Sequence, residues 1–245
     1  MRRIKLIVSY DGTNYCGWQI QPNGITIEEK LNKALWRLTG EENMVIGASR
    51  TDSGVHALGN VAVFDTETAI PAEKFAAALN QRLPDDIVVA ESKEVELSWH
   101  PRYQKSYKVY EYHIINTRIP IPTKRLTNYF VSYELDVEKM REGAGYIVGE
   151  HDFASFCSVR TQVESTVRTI TDLDIIATGN EITIRIRGNG FLYNMVRIIA
   201  GTLVRVGRGF YQPADVKRIM TERKRTAAGV TAPAQGLILK RIEYE

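Results

Sequence analysis

The sequence predicts an α+β protein built from two similar halves, and three observations lead there. Strand-like alternation and helix-like 3.6-residue spacing both recur in each half, with about two helices apiece. The order of these patterns is not the strict strand–helix alternation of a doubly wound sheet. The 245 residues are 44% hydrophobic and 25% charged, enough to bury a real core in a water-soluble domain.

In chain order, RIKLIVSY (3–10) alternates as a first strand, and DGTNYCGWQIQPNG follows as a loop rich in Gly, Asn and Pro. Thr26 with Glu29 forms a capping-box signal. Ile27, Leu31, Ala34, Leu35 and Leu38 then recur at helical spacing until Gly40 stops the helix. MVIGAS and NVAVFDT read as strands on either side of a tight turn. Pro71 opens a second helix whose Phe75, Ala78 and Leu79 face inward, and IVVAESKEVEL returns as a strand. The second half opens with SYKVYEYHIIN (106–116), alternating as a strand, followed by TNYFVSY. Asp136 caps a helix reaching to about Val148, and HDFASF (151–156) is a compact loop. TVRTITDLDIIAT and EITIRIRG pair across Gly179-Asn180, close to a hairpin turn signal. GFLYNMVRIIAGTLVRVG is the longest helical pattern, PADVKRIMTER is a short helix, and GLILKRIEYE closes as a strand. The natural cut falls at residues 1–105 and 106–245, with no strict repeat and no long linker.

Composition excludes several classes. MRRIKLIVSYDG lacks the long apolar core and small-residue cleavage site of a signal peptide, and no window approaches the roughly 20 apolar residues needed to span a bilayer. Cys16 and Cys157 imply no disulfide framework and suit a reducing cytoplasm. The net charge of +3 is modest, so its distribution matters more. Arg205, Arg208, Lys217, Arg218, Arg223, Lys224 and Arg225 form one basic group. Arg102, Lys105 and Lys108 lie among Tyr103, Tyr107, Tyr110 and Tyr112 in another. Cations interleaved with rings suit RNA, with its phosphates and bases, while a basic run on a helix is also an ordinary solvated face.

GxxxxGK[ST], GxSxG and zinc-ligand spacings are all absent from the sequence, so no metal, nucleotide or redox cofactor is indicated. Asp52, Ser53 and His56 lie too close in sequence for an unstrained hydrolytic triad. The chemistry-bearing candidates are fewer. Asp52 lies in the turn of RTDSG, where an aspartate ordinarily shapes the backbone. Arg50, two residues earlier, would favour its charged form, Gly54 would admit a substrate, and the flanking strands give a rigid mount. A carboxylate so placed serves as nucleophile, general base or structural ion-pair partner. Tyr110 shares one strand face with Lys108 and Tyr112 and suits either core packing or a base-stacking platform. Arg197 lies among Met195, Val196, Ile198 and Ile199, and occupies either a wet stripe or an interior position needing an anion. His56 and His151 receive no role.

RTDSGVHALGNVAVF resembles the signature of the TruA family of tRNA pseudouridine synthases. YDGTNYCGWQIQPNGITIEEKL, YKVYEYHIIN, GEHDFASF, TVRTI, GNGFLYNMVRIIAGTLVRVG and GLIL match the same family in order, so the resemblance spans essentially the whole chain. It implies two α+β halves joined through a continuous, mainly antiparallel sheet, with helices on the outer face and a basic cleft between. It further implies a homodimer acting without cofactor on uridines 38 to 40 of the tRNA anticodon stem-loop. Asp52 would be the catalytic aspartate, Arg50 and Arg197 the basic residues near it, and Tyr110 the ring under the target base. Arg168 matches a family arginine of unassigned role. Ser49, Asn60 and Glu28 depart from the family's usual glycine, glutamine or histidine, and glutamine. Two other readings stay open at this level: an inactive RNA-binding protein of the same fold, and an aspartate-nucleophile hydrolase. The second would need a metal or another carboxylate that the sequence does not offer.

Overall fold

The computed structural model describes residues 1–158 and 163–245. The chain divides into two compact units, Met1–Ser106 with Leu239–Glu245, and Tyr107–Ile238. Among the described residues are ten strands and five α-helices, the strand pairs mainly antiparallel. This is the α+β class that the patterning predicts.

In the first unit the strand order is β4 (Ile87–Val95), β1 (Arg2–Tyr10), β3 (His56–Thr66) and β10 (Leu237–Tyr244). β3 is buried along most of its length, as a strand flanked on both sides should be. Its register against β1 sets Ile4 opposite Phe64 and Leu6 opposite Ala62. Helix α1 (Ile27–Thr39) begins where Thr26 accepts a hydrogen bond from the Glu29 amide at 3.3 Å. The Glu29 carboxylate pairs with Lys33 and is also reached by the Thr26 backbone amide, the reciprocal contact of a capping box. Gly40 ends the helix in the left-handed conformation, φ 73°, its N–H reaching Trp36 O. Ile27, Leu31, Ala34 and Leu35 are buried, each stabilising the unit by roughly 1.5–3 kcal/mol if Leu- or Ile-sized, less for alanine. The helix expected after Pro71 is a 3₁₀ turn, Ala72–Lys74, running into α2 (Phe75–Asn80).

In the second unit the order is β5 (Ser106–Asn116), β9 (Glu181–Gly188), β8 (Val167–Thr178) and β7 (Gly149–Asp152). β6 (Tyr129–Val131) pairs parallel to β5. The expected compact loop at 151–156 is in part a strand: β7 pairs with β8 before a 3₁₀ turn at Ala154–Phe156. Helix α3 (Val137–Gly145) is capped by Asp136, which accepts from the Lys139 amide at 3.0 Å, and it stops short of Val148. Helix α4 (Met195–Gly207) starts later than its apolar pattern suggests, because Asn194 takes a left-handed φ of 61°. It therefore equals α1 in length rather than exceeding it, at 13 residues each. Short α5 (Asp215–Glu222) precedes β10. No helix among the described residues is long and apolar enough to cross a membrane.

Candidate active site

The 44–49 segment reads as a strand, yet only Ile46–Gly47 (β2) pairs with β3. Beyond it a buried side chain replaces the sheet ladder. Asn60, fully buried on β3, accepts from the Ser49 amide at 3.3 Å and donates to the Ser49 carbonyl at 3.0 Å. An asparagine amide has both functions, so it can imitate a paired strand. Its NH₂ also reaches Tyr10 OH at 3.3 Å, and that hydroxyl lies 2.7 Å from Thr51 Oγ1. Ser49 and Asn60, two of the departures noted above, are therefore direct hydrogen-bond partners.

The other flank of the turn is fixed by the glycine-rich opening loop. Trp18 N–H donates to Thr51 O at 3.1 Å, and Gly54 N–H donates to Tyr15 O at 3.2 Å. Ser53 Oγ joins the same Tyr15 carbonyl at 3.2 Å. Gly17, at φ 85°, approaches so closely that an added Cβ would lie 2.5 Å from Thr51 O. Gly54 takes φ 76°, which only glycine adopts without strain. Asp52 O closes the turn by accepting from Val55 N–H at 3.1 Å. The half-buried Asp52 side chain thus projects from a backbone pinned before and after it. Tyr10, Tyr15, Gly17 and Asn60 position this loop. In the sequence the first three show only as the glycine pair and aromatics of YDGTNYCGW, and Asn60 only as a departure from the family's usual residue.

Arg50 is exposed and makes no hydrogen bond or ion pair with any described residue, so it is not the salt-bridge partner of Asp52 that its spacing suggested. Its electrostatic neighbour is another cation, Arg102, whose Nε donates to Gly47 O at 2.7 Å. Burial first, and the Arg50 charge second, disfavour the Arg102 guanidinium, with Glu28 opposing. Glu28 is itself buried and accepts from the Ile20 amide at 2.8 Å.

Tyr110 and Arg197 belong to the second unit. Tyr110 on β5 stands opposite Ile186 and is only 7% exposed. Its ring meets Phe191 edge-on, centroids 5.1 Å apart at 82°. Phe191, in the GNGF turn before α4, is a contributor that sequence reasoning passed over. Arg197 is half-buried, its Nε donating to Ala232 O and its Nη1 to Asn194 Oδ1, both at 2.8 Å. Ala232 N–H returns a bond to Arg197 O at 3.1 Å, so the residue ties the 228–233 segment to α4. Two β5 positions beyond Tyr110, Tyr112 is fully buried and donates to Pro233 O at 2.8 Å. Burial pushes its phenol well above the usual range, and the charge of Arg197 opposes that rise.

The remaining candidates have structural partners. Arg168 Nη1 donates to the Ser165 and Val167 carbonyls at 2.9 and 2.6 Å. His56 Nδ1 accepts from the Gly12 amide at 3.0 Å and lies 3.0 Å from Asp11 Oδ1. His151 Nε2 lies 3.0 Å from Val148 O. In the 217–225 run, Arg218 pairs with Asp215 and Glu222, Arg223 with Asp152, and Arg225 donates to Gly229 O. Cys16 and Cys157 are free thiols. No group of three or more His, Cys, Asp or Glu among the described residues is placed to hold a metal ion.

Comparison with known proteins gives a consistent result. The family described as tRNA pseudouridine synthase matches residues 6–104 and 144–245. A tRNA pseudouridine synthase A of Thermoanaerobacter pseudethanolicus is 51% identical over 244 residues, covering 100% of both chains. One of Acetivibrio thermocellus is 48% identical over 244 residues with the same coverage. A tRNA pseudouridine synthase A 2 of Clostridium perfringens is 47% identical, again over 100% of both chains. The chain belongs to the tRNA pseudouridine synthase family.

Proposed function

We propose that this chain converts uridine to pseudouridine at positions 38 to 40 of the tRNA anticodon stem-loop, with Asp52 as its catalytic carboxylate. One observation carries the assignment to Asp52. It is an acid projected from a turn that neutral hydrogen bonds immobilise on both sides, two residues from the exposed Arg50. A carboxylate needed only to shape the turn would not require that second layer of support.

The reaction breaks the C1′–N1 bond, turns the uracil, and forms C1′–C5. N1 gains a proton and C5 loses one, so the change is an isomerisation with no net oxidation. Asp52 acts in its ionised form, either adding to the sugar at C1′ or removing a proton from C2′. The target nucleotide must first leave its stack, at a cost of a few kcal/mol. Tyr110, held edge-on by Phe191, is the proposed floor under the displaced base. A base–ring contact is worth about 1–3 kcal/mol, enough to offset part of that cost. Arg50 and Arg197 are the proposed cationic contacts to the substrate. Arg197 acts from a fixed position because two of its nitrogens are bound to protein. We further propose a cytoplasmic homodimer, which sedimentation of the purified chain would check.

The test follows tritium release from tRNA labelled at uridine C5, with wild type and Asp52→Asn compared side by side. Release by wild type alone, with tRNA affinity kept in the variant, supports both the reaction and the residue. Release by neither protein removes the reaction, and release by both removes Asp52.

A further inference from the structure

We propose that Arg102 and Arg50 together form a phosphate clamp on the Asp52 loop, holding a backbone phosphate beside the target uridine. The inference rests on the RNA-modifying reading above, and it adds a site and a residue to it. Arg102 is fixed at one edge: its Nε donates to Gly47 O at 2.7 Å, on the segment that leads into the catalytic turn. Its Nη groups make no hydrogen bond or ion pair with described residues, and Arg50 makes none at all. The two guanidinium groups are near enough for the charge of one to disfavour the other. Glu28, the acid that opposes this, forms no ion pair with either and is engaged by the Ile20 amide.

A lysine in this position could relieve the repulsion by losing a proton. An arginine cannot at any physiological pH, so the exposed pair stays doubly charged, screened only by water and counterions until an anion binds. A phosphodiester suits the geometry. Its two non-bridging oxygens accept from a planar fork, and Arg102 presents the Nη edge of one whose Nε is already engaged. Because Arg50 is two residues from Asp52, and Gly47 lies on the same segment, the phosphate so held is adjacent to the sugar that Asp52 acts upon. The clamp would set the register of the strand before chemistry, as phosphate contacts do in general.

The experiment uses anticodon stem-loop RNAs carrying a single methylphosphonate at each linkage flanking the target uridine. Their affinities are measured for wild type, Arg102→Gln, Arg102→Lys and Arg50→Gln. With wild type, one linkage should weaken binding by about 10-fold or more when its charge is removed. With Arg102→Gln the same substitution should be nearly silent. The slope of log affinity against log salt should fall by about 0.7 in Arg102→Gln and return in Arg102→Lys. A purely structural role for Arg102 moves neither the slope nor the linkage coupling. Additive losses at every linkage, or an unchanged salt slope in a folded Arg102→Gln protein, would overturn the clamp. The Arg102→Lys variant, which keeps the charge, separates loss of fold from loss of contact. Tritium release by wild type distinguishes the two levels. Release with additive linkages removes the clamp alone, whereas no release removes the parent reading together with it.

Discussion

The loop carrying Asp52 and the helix carrying Arg197 are held in place by opposite means. The backbone on either side of Asp52 is held by neutral groups: backbone amides, the Asn60 carboxamide, and the hydroxyls of Tyr10, Thr51 and Ser53. The cations beside it, Arg50 and Arg102, keep most of their donors unpaired among the described residues. In the second unit the cations are themselves the ties. Arg197 binds Ala232 and Asn194, Arg168 binds Ser165 and Val167, and Arg185 binds the buried Glu111 at 2.9–3.0 Å. Arg208 lies over the Tyr133 ring at 3.7 Å, and Arg205 donates to Tyr211 OH at 3.1 Å. Counting positive residues is therefore a poor guide to RNA contacts. A guanidinium already bonded to protein contributes fold, and one lacking an anion remains available to a polyanion.

The largest expected effect tests whether the neutral scaffold serves a charged side chain. Asp52→Asn preserves shape and removes the charge, and tritium release should fall by about 10³-fold or more while thermal stability stays near wild type. A large fall in melting temperature would mean that Asp52 belongs to the scaffold after all. Gly201→Ala addresses the other region, where α4 approaches the 228–233 segment so closely that an added Cβ would overlap the Val230 carbonyl oxygen. Overpacking there should destabilise by about 1–3 kcal/mol. For a chain of this length that is a melting shift of about 2–4 °C for each kcal/mol.

Asn60→Leu should cost about 1–3 kcal/mol through the unpaired Ser49 backbone groups. Unlike Gly201→Ala, it should also slow turnover more than it weakens tRNA binding, because the displaced loop carries Asp52. Equal changes in turnover for the two variants at matched stability would erase the distinction between the regions. The smallest effect belongs to Arg218→Gln. Its guanidinium is already paired with Asp215 and Glu222, so the salt dependence of tRNA binding should not change. A slope lowered by about 0.7 would return the 217–225 run to the RNA surface.

Sequence by itself determined what local physics encodes. The Thr26 cap, the spacing from Ile27 to Leu35 and the Gly40 stop define α1, because each acts within a turn or two of helix. Alternation defines β1, β5, β8 and β9, with Gly179-Asn180 turning the last pair. The RTDSG turn and its aspartate were likewise legible, since five adjacent residues carry the pattern. Tertiary structure alone decided whatever depends on partners distant in the chain. The buried Asn60 ended a strand that β-propensity would have extended through Ser49, and an intervening asparagine in the left-handed region delayed α4. β7 became visible only through its pairing with β8. The partners of each arginine were equally out of reach, because a side chain some 7 Å long selects among acceptors that only the fold brings near. Arg50 lies two residues from Asp52 in sequence, yet its electrostatic neighbour is Arg102, a cation half the chain's first unit away. Residue type set the charges, and packing decided which of them the protein neutralises for itself.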